Sequence, residues 1–238
     1  MPTLISHHPP LLLPTQMCVV YDKRPANGSA FVYFGEIPIE PTLPEAQAII
    51  PYIKSVLDAL DFKYGPCHGE VIITETGPCL VEMNCRCDGG NGSWHPLYKA
   101  MCGGYSQIET TVDAFLAPEK FNEIPDVPPS PFVVFGEEVH LVSYQTGVVA
   151  DTPGYDIIRS LPSFCRMEGV PKVGKKLVPT IDLNTCVGGI VLKHENPDQV
   201  KRDVAAIRQL ELDSKIFALD TPMNAQVDES FENIAVEA

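Results

Sequence analysis

The chain has 238 residues, of which 45% are hydrophobic, and a formal net charge of -14 at pH 7. This length and composition support one large core or two small ones. The acidic balance argues against nucleic acid and membrane as partners, because a surface that binds phosphate backbones or anionic lipids needs a basic patch.

The first 16 residues, MPTLISHHPPLLLPTQ, differ in pattern from the rest. Their three leucines fall far short of the roughly 20 apolar residues of a membrane span, and no basic region precedes them as in a signal peptide. His7 and His8 are metal-ligating side chains, but a disordered lead-in explains the segment better. We expect residues 1–16 to be a disordered or atypical lead-in and the protein to be cytoplasmic.

A helix is predicted over TLPEAQAIIPYIKSVLDALDF. Thr42 stands three residues before Glu45, as in a capping box, and apolar side chains recur at helical spacing from Ile49 to Leu60. Pro51 is expected to kink this helix or delay its start.

HGEVII and CLVEMNCRC, joined by the turn sequence TETGP, predict a β-hairpin. Strand alternation places Leu80, Glu82, Asn84 and Arg86 on one face. With the turn centred near Thr76, Glu70 lies opposite Glu82, with Cβ atoms roughly 5 Å apart.

Two carboxylates about 4 Å apart repel by roughly 4 kcal/mol at an effective dielectric near 20, so a proton or a cation must compensate. Arg86 in a structural ion-pair network is one interpretation. Mg²⁺ fits better, because the carboxylates of Glu70 and Glu82 and the amide of Asn84 are hard oxygen donors. Arg86 is then available to bind phosphate. The DGGNG that follows lets backbone approach a ligand, although a glycine cluster after a strand is more often a plain turn.

SQIETTVDAFLA predicts a second helix, with Ser106 and Glu109 as a capping pattern. The proline-rich PEKFNEIPDVPPSP then marks a boundary. Strands are predicted between Phe132 and Val149, where Glu137, Glu138 and His140 are interpreted as a solvated strand face in preference to a metal site. A closing helix follows in NPDQVKRDVAAIRQLE, with Asn196 as N-cap and Pro197 at its first position.

The boundary divides the chain into predicted units. Residues 17–125 form the first unit and residues 132–219 a smaller β-rich subdomain. Residues 220–238 are predicted to be an acidic, solvated tail.

Eight cysteines raise the alternatives of zinc binding and disulfide formation. No CxxC pair exists, and Cys85 and Cys87 are expected on the inward face of their strand, where cysteine behaves as a small hydrophobe. Reduced thiols are the expectation, and a zinc- or redox-active protein is the less favoured alternative.

The stretch GPCHGEVIITETGPCLVEMNCRCDGG resembles the metal-binding hairpin of the ATP-grasp carboxylate-amine ligases, a group that includes bacterial L-amino-acid ligases and carnosine synthase. The shared pattern reads GPxHxE, eleven residues, ExNxR and a glycine pair, and the resemblance extends from about Val19 to Leu219. The sequence departs from the pattern at Asp88, where relatives often have glycine.

The resemblance implies an α+β fold, the C-terminal half of an ATP-grasp fold, with an antiparallel sheet and flanking helices plus the smaller β-rich subdomain. It implies ATP and Mg²⁺ as cofactors, with Glu70, Glu82 and Asn84 as metal ligands. Arg86 would contact phosphate or the acyl phosphate, and His68 would lie beside the first carboxylate, facing substrate or supporting the site.

The activity implied is an ATP-dependent ligation of a small carboxylate to an amine, both amino-acid-like, through an acyl phosphate. Complete enzymes of this family are much longer, and the lysines that bind their nucleotide precede the matched region. The alternative is therefore a catalytically incomplete fragment or paralogue that binds nucleotide or a partner, and a homodimer is left open.

Overall fold

The computed structural model describes residues 14–15 and 17–220. Most of the predicted lead-in, including His7 and His8, lies outside the described residues. All but the first residue of the predicted acidic tail lies outside them as well.

Strands and helices are interspersed along the described chain. The strands are β1 (Cys18–Ala26), β2 (Ser29–Ile39), β3 (His68–Thr74), β4 (Gly77–Asn84), β5 (Phe135–His140), β6 (Gly147–Asp151), β7 (Phe164–Glu168), β8 (Lys176–Leu177), β9 (Gly189–His194) and β10 (Ala218–Asp220). The helices are α1 (Pro44–Ala59), α2 (His95–Met101), α3 (Gln107–Leu116), α4 (Pro118–Phe121), α5 (Pro153–Arg159) and α6 (Pro197–Leu212).

The main sheet has five antiparallel strands in the order β1-β2-β5-β9-β7. A three-stranded sheet, β10-β6-β8, and the hairpin β3-β4 complete the pairing in the described residues. The predicted α+β class, an antiparallel sheet with flanking helices, is confirmed.

Both faces of β9 are buried, so helices cover the sheet on two sides. Ile190 and Leu192 belong to the largest core cluster, together with Ile207 of α6. Val191, which alternates with them, packs with Leu97 of α2 in a second cluster. This alternation explains why the strand reads as an unbroken apolar run.

The main sheet takes strands from both sides of the proline-rich segment, since β2 pairs with β5. Glu36 and Glu138 are direct partners in that pairing. Backbone pairing therefore joins residues on both sides of the predicted boundary. The division of the chain into units 17–125 and 132–219 stays a prediction.

The hairpin β3-β4 has the predicted register at its base, where Glu70 pairs with Glu82. A bulge between these residues and the turn shifts the partners by one, so that Val71 pairs with Leu80. The backbone N–H of Leu80 donates to the Tyr52 hydroxyl of α1 at 2.9 Å, which satisfies the donor that the bulge displaces.

Two of the three predicted helix starts are confirmed. Ser106 caps α3 in a complete capping box with Glu109, and Asn196 caps α6 by accepting from the Asp198 N–H at 2.9 Å. The predicted cap at Thr42 is wrong: α1 begins at Pro44, and no side chain in the described part of the chain caps it.

Candidate functional site

The two predicted metal-binding carboxylates meet across the base of the hairpin. Glu70 of β3 is half-buried and its partner Glu82 of β4 is exposed. The side-chain amide of Asn84 donates to Glu82 Oε1 at 2.7 Å. This bond uses the amide nitrogen, so the amide oxygen of Asn84 stays available to a cation.

Arg86 does not lie on the strand face where the alternation placed it. β4 ends at Asn84, and the bulge interrupts the alternation between Leu80 and Glu82, so the four residues do not form one regular face. The Arg86 side chain is exposed, and its Nη1 donates to the Cys87 carbonyl at 2.8 Å. Its remaining N–H groups are available to an anion.

His68 is held between the sheet and the glycine-rich loop. Its Nε2 lies 3.2 Å from the Tyr21 hydroxyl of β1 and 3.5 Å from Asp88 Oδ1. Its Nδ1 is buried and has no hydrogen-bond partner among the described residues. Burial raises the pKa of Tyr21, and the nearby charge of Glu70 raises it further, so this hydroxyl keeps its proton at neutral pH.

Gln107, the first residue of α3, fixes the loop against the hairpin. Its side chain donates to the Cys67 carbonyl and accepts from the Asp88 N–H, each at 2.8 Å. The loop then turns through Gly90 and Gly92, whose φ angles of 63° and 72° favour glycine. The DGGNG segment is therefore an ordered turn whose first residue faces His68.

A second pair of carboxylates, Glu36 and Glu138, lies where β2 meets β5. Glu36 accepts hydrogen bonds from the hydroxyls of Tyr33 at 2.8 Å and Tyr98 at 3.0 Å. Glu138 accepts from the Ser93 hydroxyl at 2.6 Å. Burial raises the pKa of both, that of Glu138 to about 7, and each has Asp88 among the negative charges that raise it further.

The interpretation of Glu137, Glu138 and His140 as a solvated strand face is wrong. Glu138 is 5% exposed, and Glu137 and His140 are half-buried, because β5 is central in its sheet. His140 Nε2 lies 3.8 Å from Glu138, but burial lowers the histidine pKa to about 4. The imidazole is neutral at pH 7, so this contact is not an ion pair.

Glu36 and the burial of Glu138 were not predicted from the sequence. Both carry the signal that identified the hairpin, a glutamate inside an apolar strand, in FVYFGEIPI and FGEEVH. What was missing is their pairing, which joins residues about 100 positions apart and has no local signature.

A cleft of about 1080 Å³ opens between β1, α1, β3 and α3. Its walls are largely apolar, and its polar lining includes Tyr21, His68, Glu70, Asp88 and Tyr98. Lys23 also lines it, with Nζ 5.2 Å from the centre of the Tyr21 ring. Glu82, Asn84 and Arg86 do not line the cleft, so it contains only part of the predicted site.

The donor set of the hairpin fits Mg²⁺, which takes few protein ligands and prefers oxygen. Glu70 and Glu82 are paired in register, and the orientation of Asn84 leaves its oxygen available. Within residues 14–15 and 17–220, no group of three or more His, Cys, Asp or Glu side chains is arranged to hold a metal. A site of two carboxylates and an amide does not need such a group.

No family model matches the sequence. The chain is 27% identical over 168 residues to dapdiamide A synthase from Enterobacter agglomerans, a match that covers 68% of this chain and 38% of that protein. The chain therefore spans well under half the length of this curated relative.

Two solved structures have a similar fold. L-amino acid ligase from Bacillus licheniformis matches with a TM-score of 0.65 at 19% identity, over 85% of this chain and 48% of that one. The chain has the ATP-grasp fold and resembles the carboxylate-amine ligases. Phosphoribosylglycinamide synthetase from Anaerococcus prevotii matches with a TM-score of 0.61 at 14% identity, over 85% and 49% of the two chains.

The described helices include none that is both long and apolar enough to cross a membrane.

Proposed function

We propose that this chain is the ATP- and Mg²⁺-binding region of an ATP-grasp ligase that joins a carboxylate to an amine through an acyl phosphate. The observation that carries the proposal is the register of the hairpin, in which Glu70 lies opposite Glu82. Asn84, two residues further along β4, is hydrogen bonded to Glu82 and completes the oxygen donors.

In this proposal Glu70, Glu82 and Asn84 hold Mg²⁺. When bound, the ion would neutralise charge on the phosphate oxygens of ATP. Such a cation would offset the repulsion between the paired carboxylates, since the hairpin strands contain no Lys or Arg that could do so. The metal and the phosphates would thus stabilise each other's binding.

Arg86 would bind phosphate oxygens through its exposed guanidinium, which suits bidentate contact. Lys23 would add a second positive charge, since it lines the cleft. Arg24, the neighbouring cation, is paired with Asp22 at 2.6 Å and is a weaker candidate.

The chemistry proposed needs no covalent protein nucleophile. A substrate carboxylate attacks the terminal phosphoryl group of ATP and forms an acyl phosphate with release of ADP. An amine then attacks the acyl carbon, the bond from that carbon to the phosphate oxygen breaks, and phosphate leaves while the proton lost by the amine passes to phosphate or solvent. The protein contributes alignment and charge stabilisation. His68 lines the cleft beside Tyr21 and Asp88, where it would face the substrate.

The experiment is a calorimetric titration of the purified chain with ATP, with and without Mg²⁺. We expect Mg²⁺-dependent binding with a stoichiometry near one. Glu82→Gln should weaken it by at least about tenfold, because even losing a group that only orients a metal ligand costs about 10- to 100-fold. The free energy of unfolding of this variant should change little, since Glu82 is exposed.

Glu75→Gln is the matched control, because Glu75 is an exposed carboxylate in the turn of the same hairpin. It should bind Mg²⁺-ATP like the unsubstituted chain. Undiminished affinity in Glu82→Gln would reject the assignment of Glu82 as a ligand. Unfolding of that variant would show that the carboxylate belongs to a structural network.

A second candidate is a module that binds nucleotide or a protein partner without turnover. The lining of the cleft favours this candidate, because among the described residues it includes Glu70 but not Glu82, Asn84 or Arg86. Mg²⁺-dependent binding without ADP release, across a panel of amino acids, would support it over the ligase.

A further inference from the structure

Two cysteines lie opposite each other at the open end of the hairpin. Cys67 directly precedes β3, and Cys85 directly follows β4. The ladder closes with the pairs Gly69 with Met83 and His68 with Asn84. Cys67 and Cys85 flank this last pair, one beyond the end of each strand, so they face each other across the open end of the hairpin.

This position suits a disulfide. Directly opposed residues in an antiparallel pair have Cα atoms about 4.5 or 5.5 Å apart, depending on the pair type. Both separations fall within the range of about 4.4 to 6.8 Å that disulfides span.

The surroundings of the two thiols differ in access to solvent. Cys85 is exposed, contrary to the expectation that it faces inward, because β4 ends one residue before it. Cys67 is half-buried. Burial raises the pKa of Cys67, and Cys85 raises it further, which shows that the two sulfurs are within electrostatic range.

The other cysteines of this region are placed differently. Cys87 has its Sγ 3.9 Å from the Thr111 hydroxyl of α3. Cys79 is exposed further along the hairpin, where its strand partner is Ile72. No disulfide joins any of the eight cysteines, all of which lie among the described residues.

We propose that Cys67 and Cys85 are a reversible oxidation site, at which hydroperoxides oxidise the two thiols to a disulfide. The exposed Cys85 thiol reacts first: its sulfur takes one oxygen from the peroxide, the O–O bond breaks, and water leaves when the peroxide is H₂O₂. The Cys67 sulfur then attacks the sulfenic sulfur, and the S–O bond breaks with release of a second water. Two thiols are oxidised and one peroxide is reduced.

The disulfide would join the two strands covalently at the open end of the hairpin, beside the proposed metal and phosphate ligands. Cys67 adjoins His68, and Cys85 lies between Asn84 and Arg86. The oxidation itself rests on the hairpin geometry alone and would stand if the proposed ligase function failed.

The test is a peptide map of the full chain after treatment with H₂O₂ and alkylation of the remaining thiols. Trypsin together with a glutamate-specific protease separates all four cysteines of the hairpin region. Cys67 falls in residues 64–70, Cys79 in 76–82, Cys85 in 83–86 and Cys87 in 87–99.

We expect a species that joins residues 64–70 to residues 83–86, and its loss after reduction with dithiothreitol. Cys85→Ser and Cys67→Ser should abolish this species, whereas Cys79→Ser, the matched control in the same hairpin, should retain it. A link from 83–86 to 87–99 instead, or Cys85 oxidised to sulfinic acid while Cys67 stays alkylatable, would overturn the proposal.

Discussion

Glu138 illustrates how a single buried carboxyl makes the fold sensitive to pH. It is 5% exposed, its strand partner is Glu36, and Asp88 adds a further negative charge. The Ser93 hydroxyl acts in the opposite direction by donating to it. Burial dominates and raises the pKa from its ordinary 4.5 to about 7, so the carboxyl is largely protonated in mildly acidic solution.

Glu138→Gln should therefore stabilise the fold at higher pH. Between 4.5 and about 7 the unfolded chain has released the proton that the folded chain retains. The Glu138 carboxyl stabilises the fold fully below pH 4.5. This stabilisation is lost as the pH rises towards 7, at about 1.4 kcal/mol for each pH unit between the two values. Glutamine has no proton to lose and keeps an acceptor for Ser93.

The measurement is urea unfolding of both proteins at about pH 5 and about pH 8. The free energy of unfolding of Glu138→Gln, relative to that of the unsubstituted chain, should be more favourable at the higher pH. His140 has the opposing dependence and is present in both chains, because its pKa, lowered from 6.5 to about 4, makes the fold less stable as pH falls below 6.5. A difference that does not change with pH would contradict the assignment.

Helices and strands were predictable from the sequence as far as local pattern determines them. The base register of the hairpin was predicted correctly, but the true turn is one residue shorter and a bulge restores the register. That bulge depends on Tyr52 of α1, which receives the Leu80 N–H. The end of β4, and with it the positions of Cys85 and Arg86, also has no local signal.

Two identical capping patterns show the same limit. Ser106 with Glu109 and Thr42 with Glu45 have equal spacing, yet only the first caps a helix. The Thr42 hydroxyl instead lies 3.2 Å from that of Ser130, 88 residues away in sequence. The two local patterns are equally good, and only the three-dimensional structure shows that Thr42 makes a long-range contact and not a cap.

Ser106→Ala should therefore destabilise the protein by about 1 to 2 kcal/mol, whereas Thr42→Ala should change the free energy of unfolding by less than about 0.5 kcal/mol. Ser106 is 1% exposed, and its loss leaves the Ile108 N–H without its acceptor. Urea denaturation midpoints measure both. If both substitutions changed the free energy of unfolding equally, the Ser106 cap would stabilise the protein no more than the exposed Thr42 hydroxyl does.

At the scale of the whole molecule, α6 connects segments that are far apart in sequence. Arg208 donates to the backbone carbonyls of Phe34 and His140 and to both oxygens of Glu211. Glu211 in turn accepts from the Val142 N–H at 2.8 Å. The helix thereby ties β2 to β5, the two strands whose pairing brings Glu36 and Glu138 together.

Arg208→Ala should consequently lower the free energy of unfolding by about 3 to 5 kcal/mol, because it leaves Glu211 buried without its partner. Burial already raises the pKa of Glu211, and the charge of Arg208 is what opposes that rise. Arg159→Ala is the control, since the Arg159–Asp156 pair is exposed and such pairs contribute about 0 to 1 kcal/mol. Urea unfolding followed by Trp94 fluorescence reports on both, because that buried side chain packs with α2 on the opposite face of the sheet from α6. If the two variants unfolded at the same urea concentration, α6 would not hold the two strands together, and the alignment of Glu36 with Glu138 would have to come from the sheet alone.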